Sequence, residues 1–259
     1  MKKILVMLAA VFCVAGFAAE SCYKTIGDLF KNKKYQEVIN VAPTLKASAK
    51  TDLEKIYLAG SVVRAHNFLT PYANFAAYKA ALDAAAKEFN APTSGVGYDL
   101  AVLGIYYKFG DHAGALAYSQ GKTDIRVKFR RAVAFSGLKK YEDAIKTYEE
   151  IYDAAPKSYH GKAAIVAALS AAKTANLPEK MFGLLSKAVN NGSIKDPEKI
   201  KEYLTIILDA NLNATSVTPA KIKELLQTIN RRYSKNLVPG SPSKWDDLLV
   251  LVRQTLETY

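Results

Sequence analysis

The sequence predicts an all-α chain of antiparallel helical hairpins stacked on one another, closed at its C-terminal end by a helical cap. Three observations predict it. Apolar residues recur at spacings of three and four through most of the chain. Short turn-forming clusters and prolines such as Pro92, Pro156, Pro197 and Pro219 interrupt them at helix-length intervals. No stretch alternates β-branched with polar residues as a half-buried strand would.

Residues 1–19 stand apart from this fold. Lys2 and Lys3 precede an apolar run from Ile4 to Val14, and Gly16-Phe17-Ala18-Ala19 follows with small residues. This is the pattern of an export signal cleaved after Ala18 or Ala19. The apolar run is shorter than the roughly 20 residues a bilayer-spanning helix requires. The expected location is therefore the periplasm or the medium. Of two cysteines only Cys22 would survive cleavage, which excludes a disulfide-stapled scaffold. Lipid attachment at Cys22, making an outer-membrane lipoprotein, is the lesser expectation, because Ala19-Glu20-Ser21 places an acid where small or aliphatic residues are usual. No later stretch is long and apolar enough to cross a membrane.

The helices follow in order. Ile26 and Leu29 precede a turn at Lys31 to Lys34, and Tyr35 and Val38 open the returning helix. Thr51 to His66 pairs with Tyr72 to Phe89, a longer hairpin closed by Pro92. Leu103 and Tyr106 lead to a turn at Gly110-Asp111, after which Ala115 begins the return. Phe129, Ala132, Val133 and Phe135 form one helical face, Gly137-Leu138-Lys139-Lys140 turns the chain, and Ala144, Ile145, Tyr148, Ile151, Tyr152 and Ala155 form the facing one. Pro156 ends it. Tyr159 to Thr174 and Pro178 to Val189 make a further pair, and Pro197 to Ala210, Pro219 to Tyr233 and Trp245 to Thr258 complete the chain, with Val-Pro-Gly-Ser-Pro-Ser at 238–243 before the last. The expected organisation is a signal at 1–19, a repeat domain at 20–194, and a C-terminal cap or small subdomain at 195–259.

Counted from Ile125, the residues Ala132, Phe135, Ala144, Tyr148 and Pro156 occupy the small, aromatic and proline places of a 34-residue unit, and in this the stretch resembles the tetratricopeptide repeat. The resemblance covers about residues 96–190, and more loosely 23–190. Flanking units depart from the period: Ala115 to Ala144 is 29 residues, and the pair between Gly60 and Pro92 is lengthened. The resemblance implies a right-handed superhelix whose first helices line a concave groove for peptides, helices or proteins. It also implies envelope assembly as a process for exported bacterial members. Projected onto this chain, the groove positions are Tyr57, Arg64, Leu100, Tyr107, Arg126, Phe129 and His160. Arg126 and Arg130 lie four apart on one helix, as do basic groups that clamp a peptide carboxylate in some family members. Ala101 stands where such clamps carry asparagine, and the other reading of the pair is a solvated stripe beside Asp124 or Glu149.

Net charge is +12, or +10 without Lys2 and Lys3, and is spread as +3 over residues 20–90, +2 over 91–158 and +5 over 159–259. Without a concentrated basic module, nucleic acid is not an expected partner. Dispersed charge supports an alternative role, a structural envelope protein associating with anionic wall polymer or a membrane surface. No catalytic constellation is legible. His66, His112 and His160 are isolated, Cys22 has no activating neighbour, and Glu149-Glu150 and Asp246-Asp247 are adjacent carboxylates that read as solvated faces. The expected protein is a non-enzymatic scaffold for a protein or peptide, with neither metal nor cofactor. Asn191-Gly192-Ser193 and Asn213-Ala214-Thr215 fit glycosylation acceptors, which the bacterial type of signal makes incidental.

Overall fold

Residues 22–210, 217–237 and 243–258 are described by the computed structural model, and every regular element in them is helical. They form thirteen α-helices and two short 3-10 turns, with no strand among the described residues. The expected signal at 1–19, the Asn213 acceptor and nearly all of the 238–243 linker lie outside them. The chain divides into two compact units, Met1–Ser119 and Gln120–Tyr259.

In the first unit α1 (Cys22–Lys31) and α2 (Tyr35–Leu45) form one hairpin. Helix α3 (Asp52–Leu69) follows, its N-terminus closed by a reciprocal capping box between Thr51 and Glu54. Then come α4 (Phe75–Glu88), α5 (Gly95–Lys108) and the short α6 (His112–Ser119). Helix α3 packs on α1, α2, α4 and α5, so the first helix of each hairpin meets the first helix of the next. Ile26, Val38, Leu58, Leu82, Phe89 and Val102 fill the core between them. Helix α4 starts at Phe75 rather than near Tyr72 because the Asn74 side chain accepts the Ala77 N–H at 2.9 Å. The Tyr72 N–H donates to Asn67 Oδ1 at 3.1 Å instead.

The second unit contains α7 (Ile125–Gly137), α8 (Tyr141–Ala154), α9 (Tyr159–Thr174), α10 (Pro178–Asn191), α11 (Pro197–Asp209), α12 (Pro219–Tyr233) and α13 (Lys244–Thr258). Ala132 and Ala144 are fully buried where α7 meets α8, and their small side chains let the backbones approach. Tyr148 is 4% exposed, with Phe129 edge-on at 5.2 Å. Its neighbouring hairpin covers it, since α8 and α9 share an extensive face. One apolar core runs from Ala132 to Val252, so the expected boundary at 194/195 falls inside a compact unit. There Ile194 is buried, and its carbonyl accepts the Tyr233 hydroxyl at 2.7 Å.

Four hairpins turn in the same way. In each, the second residue past the helix end lies in the left-handed region: Lys33 (φ 56°), Gly110 (φ 69°), Lys139 (φ 59°) and Asn176 (φ 53°). The next N–H reaches back to the carbonyl five residues earlier: Lys34 to Leu29, Asp111 to Tyr106, Lys140 to Phe135 and Leu177 to Ala172, each at 2.9 Å. This is the hydrogen-bond pattern of a Schellman cap. The repetition is structural, and only Gly110 announces it in sequence.

Candidate partner-binding groove

The seven projected residues and Arg130 fall on four helices. On α3, Tyr57 is half-buried, its ring centroid 4.6 Å from that of Tyr23 and its hydroxyl donating to the Tyr23 carbonyl at 3.4 Å. Arg64, two turns on, is exposed and lies 4.8 Å over the Phe30 ring. Leu100 and Tyr107 are partly buried on α5, with Tyr107 5.7 Å from His112. These four belong to the first unit.

On α7 the guanidinium of Arg126 makes a two-pronged bond to Asp124, both contacts at 3.0 Å. Asp124 is also the N-cap of that helix. Each group stabilises the other's charge: the Arg126 bond holds the Asp124 carboxyl below its usual range and raises the guanidinium. The carboxylate expected from a bound peptide is thus supplied from within the chain, in agreement with the reading of a basic residue beside Asp124. Glu149, the other suggested neighbour, instead receives Lys187 at 3.0 Å. It is therefore part of an α8–α10 tie rather than of a purely solvated face. Asp246 likewise accepts the Ser243 N–H at 2.6 Å and hydroxyl at 2.9 Å, anchoring the start of α13. Phe129 packs against the core, and Arg130 is exposed beside Tyr148. Asn191 is likewise engaged, its amide donating to the Tyr152 hydroxyl at 2.6 Å.

His160 leads to a site the projection missed. Its ring meets Tyr159 edge-on at 5.4 Å, and Tyr159 is 81% exposed. Helix α9 has two faces. Ala164, Ile165, Ala168, Leu169 and Ala172 are buried, whereas Tyr159, Lys162, Ala163, Val166, Ala167, Ser170 and Lys173 form a stripe at spacings of three and four on the other side. That stripe and Lys199, Glu202 and Tyr203 of α11, with Ser193 between the helices, line an open groove of about 590 Å³. Its floor is small and apolar at Ala163, Val166 and Ala167. Its walls carry three lysines against one glutamate, and that glutamate is paired with Lys173.

Local sequence explains the placement. Ser158 caps α9 by accepting the Gly161 N–H at 2.9 Å. Gly161 is buried against the end of α8, where a side-chain Cβ would lie 2.0 Å from the Ala155 carbonyl oxygen. The tight link delivers Tyr159 to the groove's rim, one position before the projected histidine. The α9 stripe was readable in principle, because Ala163, Val166, Ala167 and Ser170 repeat at helical spacing. Alanines, however, look alike whether buried or lining a groove.

No protein-family model matches the chain, and a search of curated proteins finds no match.

Proposed function

We propose that the chain is an exported helical-hairpin scaffold that binds a protein or peptide partner, and that the α9–α11 groove of the second unit is its site. The observation that carries this reading is the chemistry of the groove. A floor of Ala163, Val166 and Ala167 lets another backbone approach closely, and an exposed Tyr159 offers a rigid aromatic anchor. Lys162 and Lys199 favour a segment bearing carboxylates, Lys173 being engaged with Glu202. The resemblance to tetratricopeptide repeats, which extends to about residue 190, supports the same reading for α9, since it occupies a first-helix place and such helices line the groove in that family; the superhelical form and a role in envelope assembly rest on that resemblance.

Selection of a displayed random-peptide library on the full chain tests it. Enriched sequences are expected to combine acidic residues with an apolar one, and their binding is expected to be lost in Val166→Glu, with helicity checked because Val166 also packs on the core, and in the exposed pair Lys162→Glu with Lys199→Glu. Enrichment that ignores Val166→Glu contradicts the site. Dispersed positive charge, at +3, +2 and +5 along the chain, favours the second reading, association with anionic polymer. That association would weaken steeply between low and moderate salt, whereas apolar groove binding would persist.

A further inference from the structure

A different feature, independent of the groove, lies at the turn end of the first hairpin. Phe30 closes α1, Tyr35 opens α2, and Phe68 ends α3; Tyr35 and Phe68 stack at 4.5 Å with ring planes 8° apart. Phe30 completes the cluster 6.3 Å from Phe68, and the Arg64 guanidinium lies 4.8 Å over Phe30 and 5.7 Å from Phe68. The cluster is incompletely sheltered, for Phe68 is 48% and the adjoining Leu69 49% exposed. The turn itself exposes Lys31, Lys33 and Lys34.

We infer that this end of the first unit is a contact for an anionic lipid surface. The pattern has both parts such a contact needs. Aromatic and aliphatic side chains occupy the boundary between headgroups and acyl chains. Lysine and arginine on long stems hold their charges at headgroup level while their methylenes cover apolar surface. Charge complementarity names the partner: Lys31, Lys33, Lys34 and Arg64 outnumber the neighbouring Asp28 and Glu37, and Glu37 is already paired with Lys34 at 3.0 Å. A headgroup layer can yield around a turn of this kind and take up its side chains.

The test uses the full chain and vesicles of phosphatidylcholine with or without phosphatidylglycerol. Binding should require the anionic lipid and fall at least tenfold for Phe68→Ser with Leu69→Ser, and for Lys31→Glu with Lys33→Glu at exposed positions, with helicity and urea midpoint measured for each variant to show that the fold is retained. The N-terminal residues are common to every variant, so differences between variants report the turn, and an indole at position 68 reports insertion there directly. Phe68→Trp adds a local readout, with the wild-type emission of Trp245 subtracted. The new indole should shift to the blue on anionic vesicles and be quenched by brominated acyl chains. Wild-type binding by both double variants, or an indole that neither shifts nor is quenched, overturns the proposal and leaves the patch to a protein partner.

Discussion

Gly161 shows how a single missing side chain positions the candidate site. Its Cβ place is taken by the Ala155 carbonyl, so the first turn of α9 sits directly against the end of α8. Gly161→Ala is expected to cost about 1–3 kcal/mol in urea unfolding, the range for overpacking a tight contact, and to weaken groove binding by displacing Tyr159. Tyr148 supplies a pH prediction. Burial holds its phenol at about 12, above the ordinary 10.0. A raised phenol favours the protonated form in the fold, so its contribution is complete below pH 10.0 and is lost as pH rises towards 12. Burial also raises Tyr78 and Tyr233. Tyrosinate absorbance should therefore appear in two steps, exposed phenols first and buried ones together with loss of helicity. A single smooth titration near the ordinary value would contradict the described burial. Residue chemistry was only partly legible in sequence: Ala132, Ala144 and Tyr148 declared their burial through spacing, and Asp124 stood as one of two acids beside Arg126, but the pattern did not separate it from Glu149, which pairs with Lys187 instead.

At the scale of elements, helix positions were legible because apolar faces must be buried, and caps such as Thr51 and Pro178 mark where helices begin. The repeat was harder to see. Four hairpins share one turn, yet its left-handed position holds Lys, Gly, Lys and Asn, so backbone geometry recurs where sequence does not. A non-glycine residue there bears a steric cost that glycine avoids, partly offset by glycine's greater freedom when unfolded. Lys139→Gly is accordingly expected to stabilise the fold by up to about 1 kcal/mol, read as a higher urea midpoint. A destabilised variant would mean that the exposed Lys139 side chain contributes more than its backbone strain costs. The spacing predicts α4 three residues too early for a comparable reason: the Asn67 side chain accepts the Tyr72 N–H and Asn74 accepts that of Ala77, so side-chain geometry rather than apolar spacing sets the helix start.

Over the whole molecule, two units each bury a core that no single hairpin could enclose, because a helix with apolar residues on two sides needs neighbours on both. Helix α9 departs from this rule on one side only, where the stripe from Tyr159 to Lys173 remains open to solvent above α11. The account assigns the partner to that stripe. A photo-crosslinking amino acid placed at Val166 in the producing cell, with the exposed Val250 of α13 as reference, tests this most directly. A discrete adduct from position 166 that is absent from 250, and that disappears with Lys162→Glu and Lys199→Glu, is the predicted result. No adduct from 166, or the same adducts from both positions, would contradict it.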